Sequence, residues 1–280
     1  MTQSHRRSML CPNCRKLISG NDTVCPYCGT KNPTSPWQRL IGRGLSDGDQ
    51  LLKILIGVNV AMYVLSLLLS ARSTNLSFNP FFFLSPDNRS LLLLGASGYI
   101  PIDRLHRWWS LISANYLHGS IMHIFFNIIA LRQLGPLVLQ EYGNYRMFII
   151  YTFSGVIGFF ISYLAGVTFT IGASAAVCGL IGAALYFGKS RGGIYGQTIY
   201  RQIGGWAIGI FMFGFLVPAI NNWAHGGGML AGAALGFLLG YQERSREKHG
   251  HKIAALCCVI VTALVLLWAI FSSLYLLFIS

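Results

Sequence analysis

The strongest constraint on the fold of this chain is a series of seven apolar runs, each about as long as a membrane-spanning helix. A helix that crosses a bilayer needs roughly 20 consecutive, mainly apolar residues. Charged residues make up only 10% of the 280 positions, whereas a typical soluble domain has about 25%. These features predict an all-α polytopic membrane protein. The runs lie near residues 51–70, 118–139, 146–166, 170–188, 203–220, 223–240 and 253–279.

The basic residues indicate how the predicted helices are oriented. The net charge of +13 would, in a soluble protein, suggest a nucleic-acid partner. If the N-terminus is cytoplasmic and the segments between the runs alternate sides, all but four of the 21 Lys and Arg residues fall on the cytoplasmic side. This asymmetry follows the positive-inside rule of membrane proteins. We therefore expect an integral protein of a bacterial plasma (inner) membrane, with a cytoplasmic N-terminus and no nucleic-acid partner.

Residues 1–35 form a polar module with two cysteine knuckles, CPNC and CPYC, separated by ten residues. Two such knuckles can place four thiolates around zinc, and metal binding would supply the folding free energy that so small a core lacks. Two disulfides or a redox-active pair are the alternatives, but a cytoplasmic location disfavours the first and the doubled knuckle disfavours the second. We predict a cytoplasmic zinc ribbon with structural Zn²⁺, and a cytoplasmic partner is one role it could serve. The predicted ligands are Cys11, Cys14, Cys25 and Cys28.

Two segments without a membrane-spanning run follow the module. Residues 36–50 are rich in Pro, Gly and Ser, which is typical of a linker. Residues 71–117 lie on the outer side in the predicted topology and contain adjacent Trp108 and Trp109 among basic residues. Tryptophan at such a position is typical of the lipid headgroup level. We predict an outer interfacial or re-entrant loop.

Five polar residues lie at one depth of the predicted membrane region, toward its outer side. Polar and ionisable groups are costly there and usually face a protein interior or a water-filled cavity. His123 and Asn127 are four residues apart and share one face of a helix. His118 precedes Ser120, a predicted N-cap, and is expected just outside that helix. The five residues are His118, His123, Asn127, Ser174 and His225.

Small residues around Ser174 and along the sixth run predict that these two helices pack closely. In the sixth run a small residue recurs at every fourth position, which is the pattern of tight helix crossings. Such a crossing could bring the Ser174 hydroxyl to the His225 imidazole as a nucleophile and its base. A lone Ser in a span more often bonds its own helix backbone. The expected packing residues are Gly172, Ala175, Cys178, Ala224, Gly228 and Gly232.

The acidic residues restrict the chemistry that these groups could perform. None of the eight Asp and Glu residues lies within a predicted span, so a carboxylate that would complete a catalytic triad is missing. The sequence therefore predicts a Ser–His dyad. His123, Asn127 and the Ser174 backbone N–H could then stabilise an oxyanion. The missing acids also disfavour a transporter built around the histidines.

Three motifs resemble those of the rhomboid intramembrane serine proteases. HGSIMHIFFN is similar to the family element HxxxxHxxxN, GASA to GxSG, and AHGGGMLAG to AHxxGxxxG. The resemblance implies that Ser174 is the nucleophile and His225 the general base. It also implies that His123 and Asn127 contact the oxyanion and that His118 supports the structure.

The resemblance also implies an architecture and a substrate class. The family has a six-helix core, here residues 51–240, and often an added C-terminal helix, here residues 253–280 after a basic cytoplasmic loop at 241–252. We therefore expect a rhomboid-like six-plus-one arrangement whose active site opens toward the outer face. The implied substrates are transmembrane segments of single-span or polytopic membrane proteins, cut within the lipid bilayer without a catalytic cofactor.

The chain departs from the family pattern close to the predicted nucleophile. Ala175 replaces the glycine after the serine, and Cys178 occupies a position that is often aromatic in the family. The alternative function is therefore a catalytically inactive rhomboid-like protein that binds membrane clients.

Overall fold

The computed structural model describes residues 8–11, 16–27, 29, 31–35, 47–70, 75–76, 79, 83–217 and 220–279. The chain divides into two compact units, Met1–Ile54 and Leu55–Ser280. Most of the second unit is helical.

The first unit contains a small hairpin. Strands β1 (Ser8–Leu10) and β2 (Leu17–Ser19) pair antiparallel. Beside the hairpin, the side chains of Cys11, Ile18 and Cys25 form one buried cluster. Two of the four predicted zinc ligands, Cys14 and Cys28, lie outside the described residues. Within the described part of the chain no group of three or more His, Cys, Asp or Glu residues is placed to hold a metal, so the zinc ribbon stays a prediction.

Five helices are long and apolar enough to cross a membrane, judged by length and composition among the described residues. All five overlap predicted apolar runs, although α7 begins ten residues before its run, so the chain is mostly helical with five candidate membrane-spanning helices, as expected of a polytopic membrane protein. They are α1 (Gly48–Leu69), α4 (Ile121–Tyr142), α5 (Asn144–Leu164), α7 (Gly193–Leu216) and α9 (His249–Ile279).

The fourth and sixth predicted spans also form helices, α6 (Ser174–Arg191) and α8 (Asn222–Leu239), but these are not among the five. Both contain many Gly and Ala residues, and α6 is buried along most of its length. A helix surrounded by protein needs less apolar surface than one that faces lipid, because its neighbours replace the lipid. The six-plus-one count of spans therefore stays a prediction.

The described residues between α1 and α4 form short elements. A second hairpin pairs β3 (Asn75–Leu76) with β4 (Phe83–Ser85). Buried side chains, including Leu94, Ile102 and Leu117, anchor the short elements to the rest of the unit. After β4 come α2 (Asn88–Leu93), a π-helical turn (Ile100–Arg104), α3 (Ser110–Ser113) and a 3₁₀ turn (Ala114–Tyr116).

Helix α8 packs most extensively against α6 and then against α5. Backbone meets backbone along the α6–α8 crossing. A Cβ atom added to Gly228 would overlap the carbonyl oxygen of Ala175, and one added to Gly232 would overlap that of Gly179. The two contacts lie four residues apart on each helix, so each helix presents one face of small residues to the other.

Candidate active site

Ser174 and His225 lie within hydrogen-bond distance of each other. The Ser174 Oγ is 2.8 Å from the His225 Nε2, although 51 positions separate the two residues along the chain. Ser174 is the first residue of α6, and His225 lies in the first turn of α8. Each helix therefore contributes one group at the end where it begins.

The close crossing of α6 and α8 explains this short distance. Ser174 immediately precedes Ala175, and His225 lies one turn before Gly228, which contacts the Ala175 carbonyl. A side chain at Gly228 would push the helices apart and separate the hydroxyl from the imidazole. The glycines of α8 thus determine the register of the two polar groups.

His225 is oriented by packing. The residue is 6% exposed, and its Nδ1 has no hydrogen-bond partner among the protein groups that the structure describes. For Nε2 to accept the Ser174 proton, Nδ1 must carry the hydrogen of the neutral ring. This geometry suits a serine and a histidine acting as a pair.

His123 is placed beside the hydroxyl of Ser174. Its Nδ1 accepts the backbone N–H of Gly119 at 3.3 Å, so the hydrogen of a neutral ring lies on Nε2. Gly172 lies between the His123 ring and the Ser174 hydroxyl. A Cβ atom added to Gly172 would be only 2.6 Å from the His123 Nε2 and 3.5 Å from the Ser174 Oγ. Gly172 also has φ of +126°, a conformation that side chains disfavour. Glycine at this position therefore leaves room for an N–H donor next to the serine.

The structure places Asn127 and His118 differently from His123. The Asn127 Nδ2 donates to the carbonyl of His123 at 2.9 Å, and no hydrogen bond joins Asn127 to Ser174 among the described residues. His118 is fully buried, and its ring lies edge-on to that of His123 with 5.0 Å between centroids. The predicted N-cap at Ser120 is confirmed, since its hydroxyl accepts the N–H of His123 at 3.2 Å.

The two residues that depart from the family pattern are buried in helix contacts. Ala175 packs in a cluster with Ala114, Phe159 and Ala224. Its methyl group would be 3.1 Å from a Cβ on Gly158 of α5, so a glycine on the neighbouring helix makes space for it. Cys178 is 1% exposed on α6, one turn beyond Ser174.

Sequence reasoning missed the residues that hold the segment before Ser174. The backbone N–H of Gly172 donates to the Ala114 carbonyl at 2.9 Å, and Ser97 and Thr170 exchange two backbone hydrogen bonds of 3.0 and 2.8 Å. Asn221 accepts the N–H of Ala224 at 3.1 Å and caps α8. An Asn before an apolar run is a recognisable capping signal, whereas the pairing of distant loops has no periodic signature.

Residues 105–242 match the model of the Rhomboid domain family. Rhomboid protease GluP of Bacillus subtilis (strain 168) is 37% identical over 156 residues, which cover 54% of this chain and 31% of that protein. RHOMBOID-like protein 6, mitochondrial, of Arabidopsis thaliana is 34% identical over 165 residues, covering 58% of this chain and 54% of that protein. RHOMBOID-like protein 5 of the same plant is 36% identical over 172 residues, covering 59% and 55%.

The matched region spans about half of these plant relatives' length and about a third of GluP. It contains all five polar residues that the sequence analysis singled out in the membrane region. The Rhomboid domain match and the rhomboid-named relatives together support the rhomboid family for this chain.

Proposed function

We propose that this protein is an intramembrane serine endopeptidase in which Ser174 is the nucleophile and His225 the general base. The observation that carries the proposal is the 2.8 Å separation between the Ser174 Oγ and the His225 Nε2. A hydroxyl is a weak nucleophile unless an adjacent base takes its proton, and this separation suits that transfer.

The first chemical step forms a tetrahedral intermediate. The Ser174 Oγ attacks the scissile carbonyl while His225 takes the hydroxyl proton, and the former carbonyl oxygen becomes an oxyanion. Two donors would stabilise that charge. The His123 Nε2–H is one, and the N–H of Ser174, which opens α6 and has no partner within its own helix, is the other. The positive end of the helix dipole favours negative charge at the same place.

The intermediate then collapses and the cycle closes. His225 gives its proton to the leaving amine, and an acyl group stays on Ser174. Water, deprotonated by His225, hydrolyses the acyl group and restores the hydroxyl. Every proton in this sequence passes through the His225 Nε2, so neither a metal nor an organic cofactor is required.

The substrates follow from the membrane location. A peptide carbonyl inside a helix is hydrogen-bonded and shielded, so a substrate must unwind locally before Ser174 can attack it. We propose that the substrates are transmembrane segments of single-span or polytopic proteins, cut near small or helix-breaking residues. The six-plus-one topology, the cytoplasmic N-terminus, the bacterial plasma membrane and a site that opens toward the outer face belong to this proposal. The relatives described above include one bacterial protein and two plant proteins.

A catalytically inactive protein that binds membrane clients is the second candidate. Several relatives carry the name rhomboid-like, and Ala175 departs from the family motif. The position of Ala175 disfavours this second candidate. The Ala175 methyl group faces Gly158, so the extra methyl fits between the helices without separating Ser174 from His225.

Cleavage of a reconstituted substrate separates the two candidates. A single-span substrate in liposomes is incubated with wild type, Ser174→Ala and His225→Ala. We expect cleavage by wild type and a loss of about 10,000-fold or more in both variants. Binding of the substrate without cleavage by wild type would contradict the protease and favour the client binder.

We also propose that the N-terminal module binds one structural zinc ion through Cys11, Cys14, Cys25 and Cys28. Cys11 and Cys25 are buried in the same cluster, and thiolates in two such knuckles are preferred zinc ligands. Elemental analysis of the purified protein should find about one zinc per chain, and Cys11→Ser with Cys25→Ser should lose it. Removing residues 1–35 should leave cleavage intact, and loss of activity in a folded core would contradict this.

A further inference from the structure

One side chain, Asn221, joins three parts of the chain at the edge of the candidate site. Its Oδ1 accepts the N–H of Ala224 at 3.1 Å, in the first turn of α8. Its Nδ2 donates to the Ser162 Oγ of α5 at 2.6 Å and to the Thr170 Oγ1 at 2.8 Å.

These bonds fix the orientation of the Asn221 amide. The group offers two N–H donors and one carbonyl oxygen, and all of them are used. A flipped amide would direct its NH₂ group at the N–H of Ala224 and its oxygen away from the helix, so the cap would be lost. The side chain therefore has one orientation in which all its groups are paired.

The bonds of Asn221 reach both chain segments that carry the reacting groups. Thr170 lies four residues before Ser174, and its segment is held in turn by the backbone pairing with Ser97. Ala224 lies immediately before His225. The Asn221 amide is thus the hydrogen-bonded link between the approach to the nucleophile and the helix turn that carries the base.

We propose that Asn221 is a positioning residue of the site, which keeps the Ser174 Oγ within reach of the His225 Nε2 by tying the Thr170 segment to the start of α8. This inference rests on the proposed protease function. The backbone carbonyl of Asn221 accepts the His225 N–H at 3.1 Å, a bond that any residue at this position would keep. The Asn221 side chain makes no described hydrogen bond to Ser174 or His225, so it acts through the position of the two segments. A displacement of about 1 Å between reacting groups can cost about 100-fold in rate.

Four variants separate positioning from simple support of the fold. Asn221→Ala removes all three side-chain bonds, whereas Thr170→Val removes one of them and leaves the cap on α8. In Asn221→Asp the carboxylate still caps α8, and the Ser162 and Thr170 hydroxyls can turn to donate to it. Thr198→Val is the matched control, because Thr198 is exposed on α7 and bonds only the Ile194 carbonyl among the described groups.

The measurements are kcat, KM, the rate of Ser174 labelling by a fluorophosphonate, and the thermal unfolding midpoint, with rates taken where every variant stays folded. We expect Asn221→Ala to lower kcat and the labelling rate together by about 10- to 100-fold, with KM changed by less than about twofold. Thr170→Val should give a smaller loss, Asn221→Asp should recover most of the rate, and Thr198→Val should match wild type.

Two results would overturn the inference, and they differ. If wild type is active and Asn221→Ala lowers only the unfolding midpoint, with kcat and labelling unchanged, Asn221 merely supports the fold. If wild type neither cleaves substrate nor reacts with the fluorophosphonate, the protease function itself is wrong and the inference is lost with it.

Discussion

The two ends of the α5, α6 and α8 bundle are held together by different chemistry. At the Ser174 end, neutral groups make the contacts, namely the amide of Asn221 and the hydroxyls of Ser162 and Thr170. At the opposite end, which we call the Arg146 end, charged groups make them. Arg146 is fully buried and donates to the carbonyls of Tyr142 at 2.6 Å and Gly240 at 2.7 Å.

A carboxylate completes the Arg146 end. Glu247, in the loop before α9, accepts the backbone N–H of Arg146 at 2.9 Å. The pKa of Glu247 is raised above its usual value, because burial disfavours the charged carboxylate. Hydrogen bonds from the N–H groups that open α5 and the charge of the Arg146 guanidinium partly offset that rise. Charged contacts here fasten the loop that leads to α9 onto the core.

Under the proposed function, the difference between the two ends separates the charged contacts that stabilise the fold from the groups that react. A buried charge beside His225 would change its affinity for a proton, so a site that relies on a neutral imidazole benefits from neutral neighbours. The charged contacts lie at the far end of the same helices, where they can join α4, α5, α8 and the approach to α9 without placing a charge beside Ser174 and His225.

Gly232→Val should give the largest effect, because it acts on the helix crossing that both ends share. Its Cβ would overlap the Gly179 carbonyl oxygen, and a backbone atom cannot rotate away. We expect the free energy of unfolding to fall by about 3 kcal/mol or more and cleavage to be nearly abolished, as measured by chemical unfolding and by turnover. Gly209→Ala on α7 is the control, since a Cβ there meets nothing within 4 Å. Equal behaviour of the two variants would contradict the crossing described here.

His123→Ala should affect only the Ser174 end. Loss of one oxyanion donor typically costs about 100- to 1,000-fold in kcat, and we expect that loss with little change in the unfolding midpoint. His123→Gln, which keeps an N–H donor, should recover part of the rate. A kcat close to wild type in His123→Ala would exclude His123 as an oxyanion donor.

Arg146→Met should affect mainly the Arg146 end. It removes the guanidinium that donates to three backbone carbonyls and the positive charge that lies near the Glu247 carboxylate, and we expect a loss of about 3 kcal/mol in unfolding free energy. Glu247→Gln in the same chain should restore part of that stability, while kcat of the folded protein should stay within about twofold of wild type. A large fall in kcat with unchanged stability would mean that the two ends are not separated.

Glu243→Gln should give the smallest effect. Glu243 and Arg191 form an exposed ion pair at 3.0 Å, and exposed pairs contribute less than about 1 kcal/mol. Neither kcat nor the unfolding midpoint should change by more than the error of measurement. A clear loss of stability would show that charged contacts other than those of Arg146 and Glu247 hold the Arg146 end.

The sequence predicted the helices better than the contacts between them. The lengths of the apolar runs located all seven long helices of the described residues, and the Ser120 cap was readable from one residue and its context. The short elements between α1 and α4 and the pairing of Ser97 with Thr170 were not predicted, because they depend on contacts between distant segments that leave no repeating pattern.

The candidate site shows the same division. The common depth of the polar residues and the small-residue spacing suggested which groups could meet, and the structure gives the Ser174–His225 separation. It also gives a geometry that spacing could not provide, in which the Asn127 amide bonds the His123 carbonyl and Asn221 bridges three segments. A side-chain amide can bond any of several nearby groups, so the partner that it has in the folded protein depends on tertiary packing.

The most direct test is covalent labelling of Ser174 by a fluorophosphonate, mapped by mass spectrometry in wild type and in His225→Ala. We expect one adduct, on Ser174 in wild type, and a labelling rate at least about 1,000-fold lower when His225 is replaced by Ala. Labelling of Ser174 that proceeds equally well without His225, or no labelling of wild type at all, would contradict the claim that these two residues work as a nucleophile and its base.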